Sequence, residues 1–370
     1  MKKINYLHII LIVIFYSIFV FFRHPDALNY QFNQNLISDY LRSQDIEDLE
    51  DRIKDRIHIS DSDIYIASGY LYAKGESPTK YNFQQAPLVK YLFGFSTIIF
   101  DNPFLIQIVF GLLLLVLIYI LGLKIFNSAS IGILASGFLL FDPLFSSLIS
   151  EGLLDLGQSV FSTTYVLVAL LIPSNFVLHG VLLGLIGASK SWITSVFFVA
   201  VIYSYKLILK KEEVKFKNIF LTVGIAFITF SLAYLKVFIE TQGRFNIFFW
   251  QFKSLKFLID HDTSTFVGGS IVLFLTGYFR EWWKQSELLR TQIWSPLWPT
   301  AFVGSILNIF MEKKTSPSYV IYLLPVLYLL YISTGAPFSR YFIVVTPFFY
   351  LGLSKILVDN VTRLRGRKLI

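Results

Sequence analysis

Two aspartates stand two residues apart in Asp61-Ser62-Asp63-Ile64-Tyr65. A carboxylate there can act as general base on an acceptor hydroxyl or ammonium. Its neighbour can raise its pKa or share a divalent cation, and the oxygen pair would permit Mg²⁺ or Mn²⁺. Tyr65 follows as a substrate contact. The same carboxylates would equally cap a helix carrying Tyr65 and Tyr72.

Other polar residues fall into short groups. Gln85, in Phe83-Gln84-Gln85-Ala86-Pro87-Leu88-Val89-Lys90, can donate to a phosphate or a sugar, while Pro87 suits a helix start. Lys90 is a further substrate-binding candidate, with snorkelling to the interface as the plain alternative. Glu151 and Asp155 are four apart, so on a helix they share a face. At membrane depth such acids are costly and mark function; at headgroup level they would serve as caps. Lys190 closes the segment Gly184–Trp192, and Arg340 lies in Gly335–Tyr341. Both cations can clamp a lipid phosphate, and ordinary headgroup contact is the alternative.

The surrounding chain must hold these groups, and its composition restricts how. The 370 residues are 55% hydrophobic and 15% charged, against roughly 25% charged in soluble domains. That excludes a soluble globular domain, a disordered chain and a disulfide scaffold. With no cysteine, thiol catalysis and Cys-ligated zinc are excluded. The histidines His8, His24, His58, His179 and His261 show no metal-ligand spacing, and neither a P-loop nor a GxGxxG motif occurs. The net charge of +8 fits cytoplasmic loops of a membrane protein, so nucleic acid is not an expected partner.

A membrane-spanning helix needs about 20 mainly apolar residues. Hydropathy predicts ten crossings in one polytopic domain over residues 1–370. They are Ile4–Phe22, Pro103–Phe126, Ser128–Phe145, Ser159–Ile172, Phe176–Ala188, Ile193–Leu209, Ile219–Ile239, Ala301–Phe310, Tyr319–Ser333 and Tyr341–Val358. Lys2 and Lys3 place the first span's start in the cytoplasm, as an anchor rather than a cleaved signal. The clusters Lys210–Lys217, Glu312-Lys313-Lys314 and Arg363–Lys368 then share that side, and both termini are cytoplasmic. Two runs of roughly 13 residues, Leu88–Phe100 and Phe266–Phe279, are expected as juxtamembrane helices on the outer face. They belong to large outer loops over residues 23–102 and 241–299. Ile46, Leu49, Ile53 and Ile57 recur at helical spacing and predict an amphipathic helix over the site. The second loop carries aromatics with Arg244, Lys253, Lys256, Arg280 and Arg290, ending in Trp294-Ser295-Pro296-Leu297-Trp298-Pro299. Its aromatics suit an interfacial belt or a sugar platform.

The order of these groups resembles the polytopic GT-C glycosyltransferases, in particular the protein O-mannosyltransferase and aminoarabinose-transferase branch. An acidic residue after the first span with a Tyr-containing helix is matched by Asp61 to Gly75. Gln85-Ala86-Pro87-Leu88 takes the place of a [His/Lys]-Pro-Pro-Leu helix start. Ser150–Asp155 matches a loop with a second Asp, and Gly184–Lys190 a Gly-rich span ending in Lys. The resemblance implies an all-α membrane fold and inverting transfer of a sugar from a polyprenyl-phosphate donor to an acceptor on the non-cytoplasmic side; the absence of a eukaryotic-style targeting signal is what suggests a plasma membrane. The resemblance also implies Asp61 as general base, with Asp63 as the alternative, Asp155 as a second essential carboxylate, and Lys190 as a ligand of the lipid phosphate. The chain departs from the pattern at Gln85 and Ala86, and near Glu151, where an Arg often precedes the second Asp. Two other readings stay open: a transporter or flippase, which needs a polar path through the midplane, and a non-catalytic protein of the same fold.

Overall fold

The computed structural model describes residues 4–43, 57–213, 215–261, 267–280 and 287–367. Helices dominate. Behind an Asn5 cap, α1 (Tyr6–Arg23) is followed by α2 (Pro25–Leu28) and α3 (Asn35–Ser43). Next come α4 (Asp61–Ala73), α5 (Leu88–Phe100) and α6 (Leu105–Ile125). A bent pair, α7 (Ala129–Leu140) and α8 (Pro143–Ile149), leads to α9 (Asp155–Leu171) and α10 (Phe176–Ser189). α11 (Trp192–Ser204) runs into a π-helical turn, Tyr205–Leu209. α12 (Phe216–Leu232), α13 (Leu235–Glu240), α14 (Ile247–His261) and α15 (Gly269–Thr276) precede a hairpin of β1 (Tyr278–Arg280) and β2 (Leu288–Arg290). α16 (Leu297–Met311), α17 (Pro317–Ile332), a 3-10 turn (Ser339–Val344) and α18 (Thr346–Arg367) complete it.

This is a membrane protein. Three helices are long and apolar enough to cross a bilayer: α1, α6, and α11 with its π turn. The α7–α8 pair makes a fourth if its 66° bend lies within one span. α9, α10, α12, α16 and α17 are apolar but shorter, as is α5.

Several boundaries differ from the hydropathy reading, each for a local reason. The Ser128–Phe145 run breaks at Asp142, whose Oδ1 caps the Leu144 N–H at 2.7 Å ahead of Pro143. Its Oδ2 accepts from the Trp298 indole N–H at 2.8 Å and from the Tyr350 hydroxyl, so a buried carboxylate is fully engaged at the bend. The Ile219–Ile239 run also breaks, between α12 and α13. Tyr341–Val358 starts as a 3-10 turn and becomes α-helical only at Thr346. The Phe266–Phe279 run yields only the eight-residue α15, because Gly277 turns the chain at φ +80° into the hairpin. This pair of three-residue strands, with Tyr278 opposite Arg290, is a small addition to a fold that is otherwise helical as expected. Ile46, Leu49 and Ile53 lie outside the described residues, and Ile57 is not helical.

Between lipid-embedded helices the hydrophobic effect supplies little, so close packing decides association. α10 packs on α9, α11 and α12, α6 on α7 and α9, and α18 on α7 and α16. α4 and α5 meet backbone to backbone at Gly69 and Gly94. A Cβ on Gly69 would overlap the Lys90 carbonyl, and one on Gly94 the Gly69 carbonyl. That contact fixes Lys90 against the face of α4 that carries Tyr65 and Tyr72.

Candidate active site

Five segments distant in sequence converge at one end of the bundle. They are the N-terminus of α4, the segment 82–87, the connection 150–154 with the start of α9, the turn after α10, and the 3-10 turn 339–344. Backbone contacts tie them together. The Gly152 N–H donates to Ser62 Oγ at 2.7 Å, and the Ala86 N–H to the Lys190 carbonyl at 3.2 Å. Gln107, buried on α6, donates to the Glu151 and Leu153 carbonyls at 2.6 and 2.7 Å.

Two ion pairs form the centre. Arg340 meets Asp61 at 2.6 Å, with the carboxylate side chain 45% exposed. Lys190 is bonded to Asp155, and here the carboxylate is 1% exposed. The Lys190 ammonium lies 4.0 Å from the centre of the Tyr341 ring, and the Arg340 guanidinium 5.7 Å from it, so one aromatic face borders both cations. Arg340 also lies 4.8 Å from the Phe338 ring. Among the described residues, the buried Asp155 Oδ2 and Arg340 Nε find no hydrogen-bond partner. The Lys190 ammonium is pushed down to about 8, chiefly by burial and further by Arg340, with Asp155 and Asp61 opposing. Burial raises the Glu151 carboxyl, Arg340 opposes this, and Asp155 adds to it. Tyr65 is buried beside Asp61, Arg340, Tyr341 and Asp155, and burial drives its phenol well up.

Three residues sit differently from the simplest sequence pattern. Asp63 is occupied by capping: Ser60 Oγ accepts the Asp63 N–H at 3.1 Å and donates to the Asp63 carboxylate at 2.8 Å. Glu151 lies in the bend before α9, which begins only at Asp155, so the two acids do not share a helical face. Lys90 neither snorkels nor reaches the ion pairs. It is fully buried, and its Nζ donates to the Asn82 and Gln85 carbonyls at 2.7 Å each. Gln85 is therefore held through its backbone. Among the described residues no three His, Cys, Asp or Glu side chains gather as metal ligands.

Two of the loop cations rest on aromatic rings. Lys253 stacks on Phe83 and Trp250 at 5.1 and 4.8 Å, and Arg290 on Tyr278 and Trp294 at 5.8 and 5.7 Å. Trp298 is buried against Phe274 at 5.4 Å and is no sugar platform. Tyr341 was not singled out by sequence reasoning, although it adjoins Arg340. Ser62 and Gln107 carried no separate signal, since their role is to bond one loop from two other elements.

No protein-family model and no curated protein matches the sequence. Solved structures do. ArnT from Cupriavidus metallidurans bound to undecaprenyl phosphate superposes with a TM-score of 0.62 at 14% identity, over 94% of this chain and 59% of that one. Its apo state gives a TM-score of 0.60 at 15% identity, over 85% and 57%. The chain thus spans a little under three fifths of ArnT's length, and what is shared at this identity is the fold.

Proposed function

We propose that the chain is a membrane glycosyltransferase that moves a sugar from a polyprenyl-phosphate-linked donor to an acceptor on the non-cytoplasmic face of a plasma membrane. The observation that carries this reading is the meeting of the Asp61–Arg340 and Asp155–Lys190 pairs around Tyr341, on a fold shared with a protein solved with undecaprenyl phosphate. Ten crossings with cytoplasmic termini, and α5 and α15 as juxtamembrane elements, would put that end outside.

Asp61 is the better placed base, because its side chain is half-exposed while Asp63 is held in the helix cap. An acceptor hydroxyl loses its proton to Asp61 as its oxygen bonds the anomeric carbon from the face opposite the phosphate; an acceptor ammonium gives up a proton first, and the freed lone pair then attacks. The bond from that carbon to the phosphate oxygen breaks, inverting the centre and leaving polyprenyl phosphate. Lys190 and Arg340 hold the departing charge. Arg340 has a double part: while it is bonded to Asp61 it blocks the base, and a donor phosphate draws it away. Asp155 keeps the buried Lys190 charged and in place. Tyr65, Glu151 and Gln85 shape the surroundings of these groups, and Lys90 lies buried behind them. Lys190 and Arg340 suffice to hold a monophosphate.

The test is sugar release from polyprenyl-phosphate-linked donors by wild type and Asp61→Asn. Release that collapses in the variant supports the assignment. Equal release by both moves the base elsewhere, and no release from any donor overturns the transferase reading.

A further inference from the structure

We propose that Lys90 is a positioning residue that sets the two ion pairs relative to each other from behind, without touching substrate. Its exposure is 0%, and among the described residues no carboxylate pairs with it. Burial pushes the Lys90 amine well below the usual lysine range, and the groups it meets are carbonyl oxygens, to which it donates, and aromatic faces.

Two physical connections lead from it to the site. The first is one peptide group. Lys90 Nζ donates to the Gln85 carbonyl at 2.7 Å, and the N–H of that same peptide, belonging to Ala86, donates to the Lys190 carbonyl at 3.2 Å. A peptide is a rigid plane, so fixing its oxygen fixes the direction of its N–H. Lys90 thereby anchors the backbone of Lys190. The Asn82 carbonyl, bonded at 2.7 Å, holds the other end of the segment, and Ser254 Oγ donates to the Gln84 carbonyl at 2.6 Å from outside. The second connection is aromatic. The ammonium lies 5.6 Å from the Tyr65 ring centre and 5.7 Å from that of Tyr72. Tyr65 is one helical turn from Asp61 on α4. The Gly69–Gly94 contact leaves no room for Lys90 to withdraw. One side chain therefore reaches the backbone of Lys190 and, through Tyr65, the base of Asp61.

The consequence for turnover rests on the transferase reading, but the positioning itself is measurable without it. The full-length protein in lipid nanodiscs would be labelled competitively with an amine-acylating reagent across pH, with each lysine followed by mass spectrometry. The groups facing Lys190 are Asp155, Asp61, Arg340 and Tyr341. If Lys90 places Lys190 among them, Lys90→Met shifts the Lys190 midpoint by about one pH unit, while Lys253 keeps its own. Ala86→Pro removes the N–H to Lys190 and leaves both Lys90 bonds in place. It should shift the Lys190 midpoint in the same direction, and it provides the answer if Lys90→Met does not fold. An unchanged Lys190 midpoint in the folded variants overturns the inference. Because no donor is present, a failed transferase assay does not affect this result.

Discussion

Lys190, closing α10, is bonded to Asp155, the first residue of α9, across 35 positions of sequence. Both side chains are largely withdrawn from water, at 10% and 1% exposure. Such a pair contributes little net stability when intact. Removing one partner is costly, because the other charge is stranded.

Asp155→Asn should therefore cost about 3–5 kcal/mol of stability. Lys190→Met on that background should recover much of it. A thermal-unfolding double-mutant cycle in detergent checks this, and strictly additive effects would contradict the pairing.

The pH dependence follows from the same lysine. With its ammonium pushed down to about 8, Lys190 is a cation below that pH and neutral above it. In the proposed reaction its contact to the donor phosphate is therefore available on the acid side and lost as pH rises. We expect kcat/KM for the donor to fall about tenfold per unit above pH 8. The limb in kcat should lie higher, because a bound phosphate favours the ammonium. In Lys190→Arg, whose guanidinium stays charged, the limb should vanish.

Asp61 and Asp63 should separate cleanly. Asp61→Asn is expected to lower turnover by about 10²–10⁴-fold with a small change in melting temperature. Asp63→Asn should cost about 0.5–2 kcal/mol through the helix cap and leave turnover nearly intact. Steady-state rates beside melting curves distinguish the two, and the reverse pattern would exchange their roles.

At the bend, Asp142→Ala would leave the Trp298 indole, the Tyr350 hydroxyl and the Leu144 N–H without their acceptor. Each unsatisfied buried donor costs about 1–3 kcal/mol, so the variant should be among the least stable single substitutions here. Asp142→Asn, which keeps one acceptor oxygen, should fall between. Equal melting temperatures for wild type and Asp142→Ala would rule out the network as a stabilising feature.

Much of the fold was legible because hydropathy is local. α1, α6 and the α11 span follow from apolar runs, and α5 was legible down to its ends, Leu88–Phe100. The breaks were not legible. Asp142 reads as one polar residue in an apolar run until Trp298 and Tyr350, from distant helices, supply its donors. α15 ends short of the predicted Phe266–Phe279 helix because Gly277 and the pairing of Tyr278 with Arg290 prevail over the apolar pattern.

By itself the sequence determined an apolar, helical membrane chain whose carboxylates and cations are few enough to stand out. Composition and spacing are properties of the chain alone, and they mark the groups Asp61 with Asp63, Glu151 with Asp155, Lys190 and Arg340; the resemblance is what narrows the carboxylates to Asp61 and Asp155. Which carboxylate meets which cation was decided only by tertiary packing, because an ion pair at hydrogen-bond distance depends on helices far apart in sequence. The same holds for Lys90. Next to Pro87 and Leu88 it reads as an interfacial lysine, and only the backbone contact of Gly69 with Gly94 turns it inward, onto the peptide that holds Lys190.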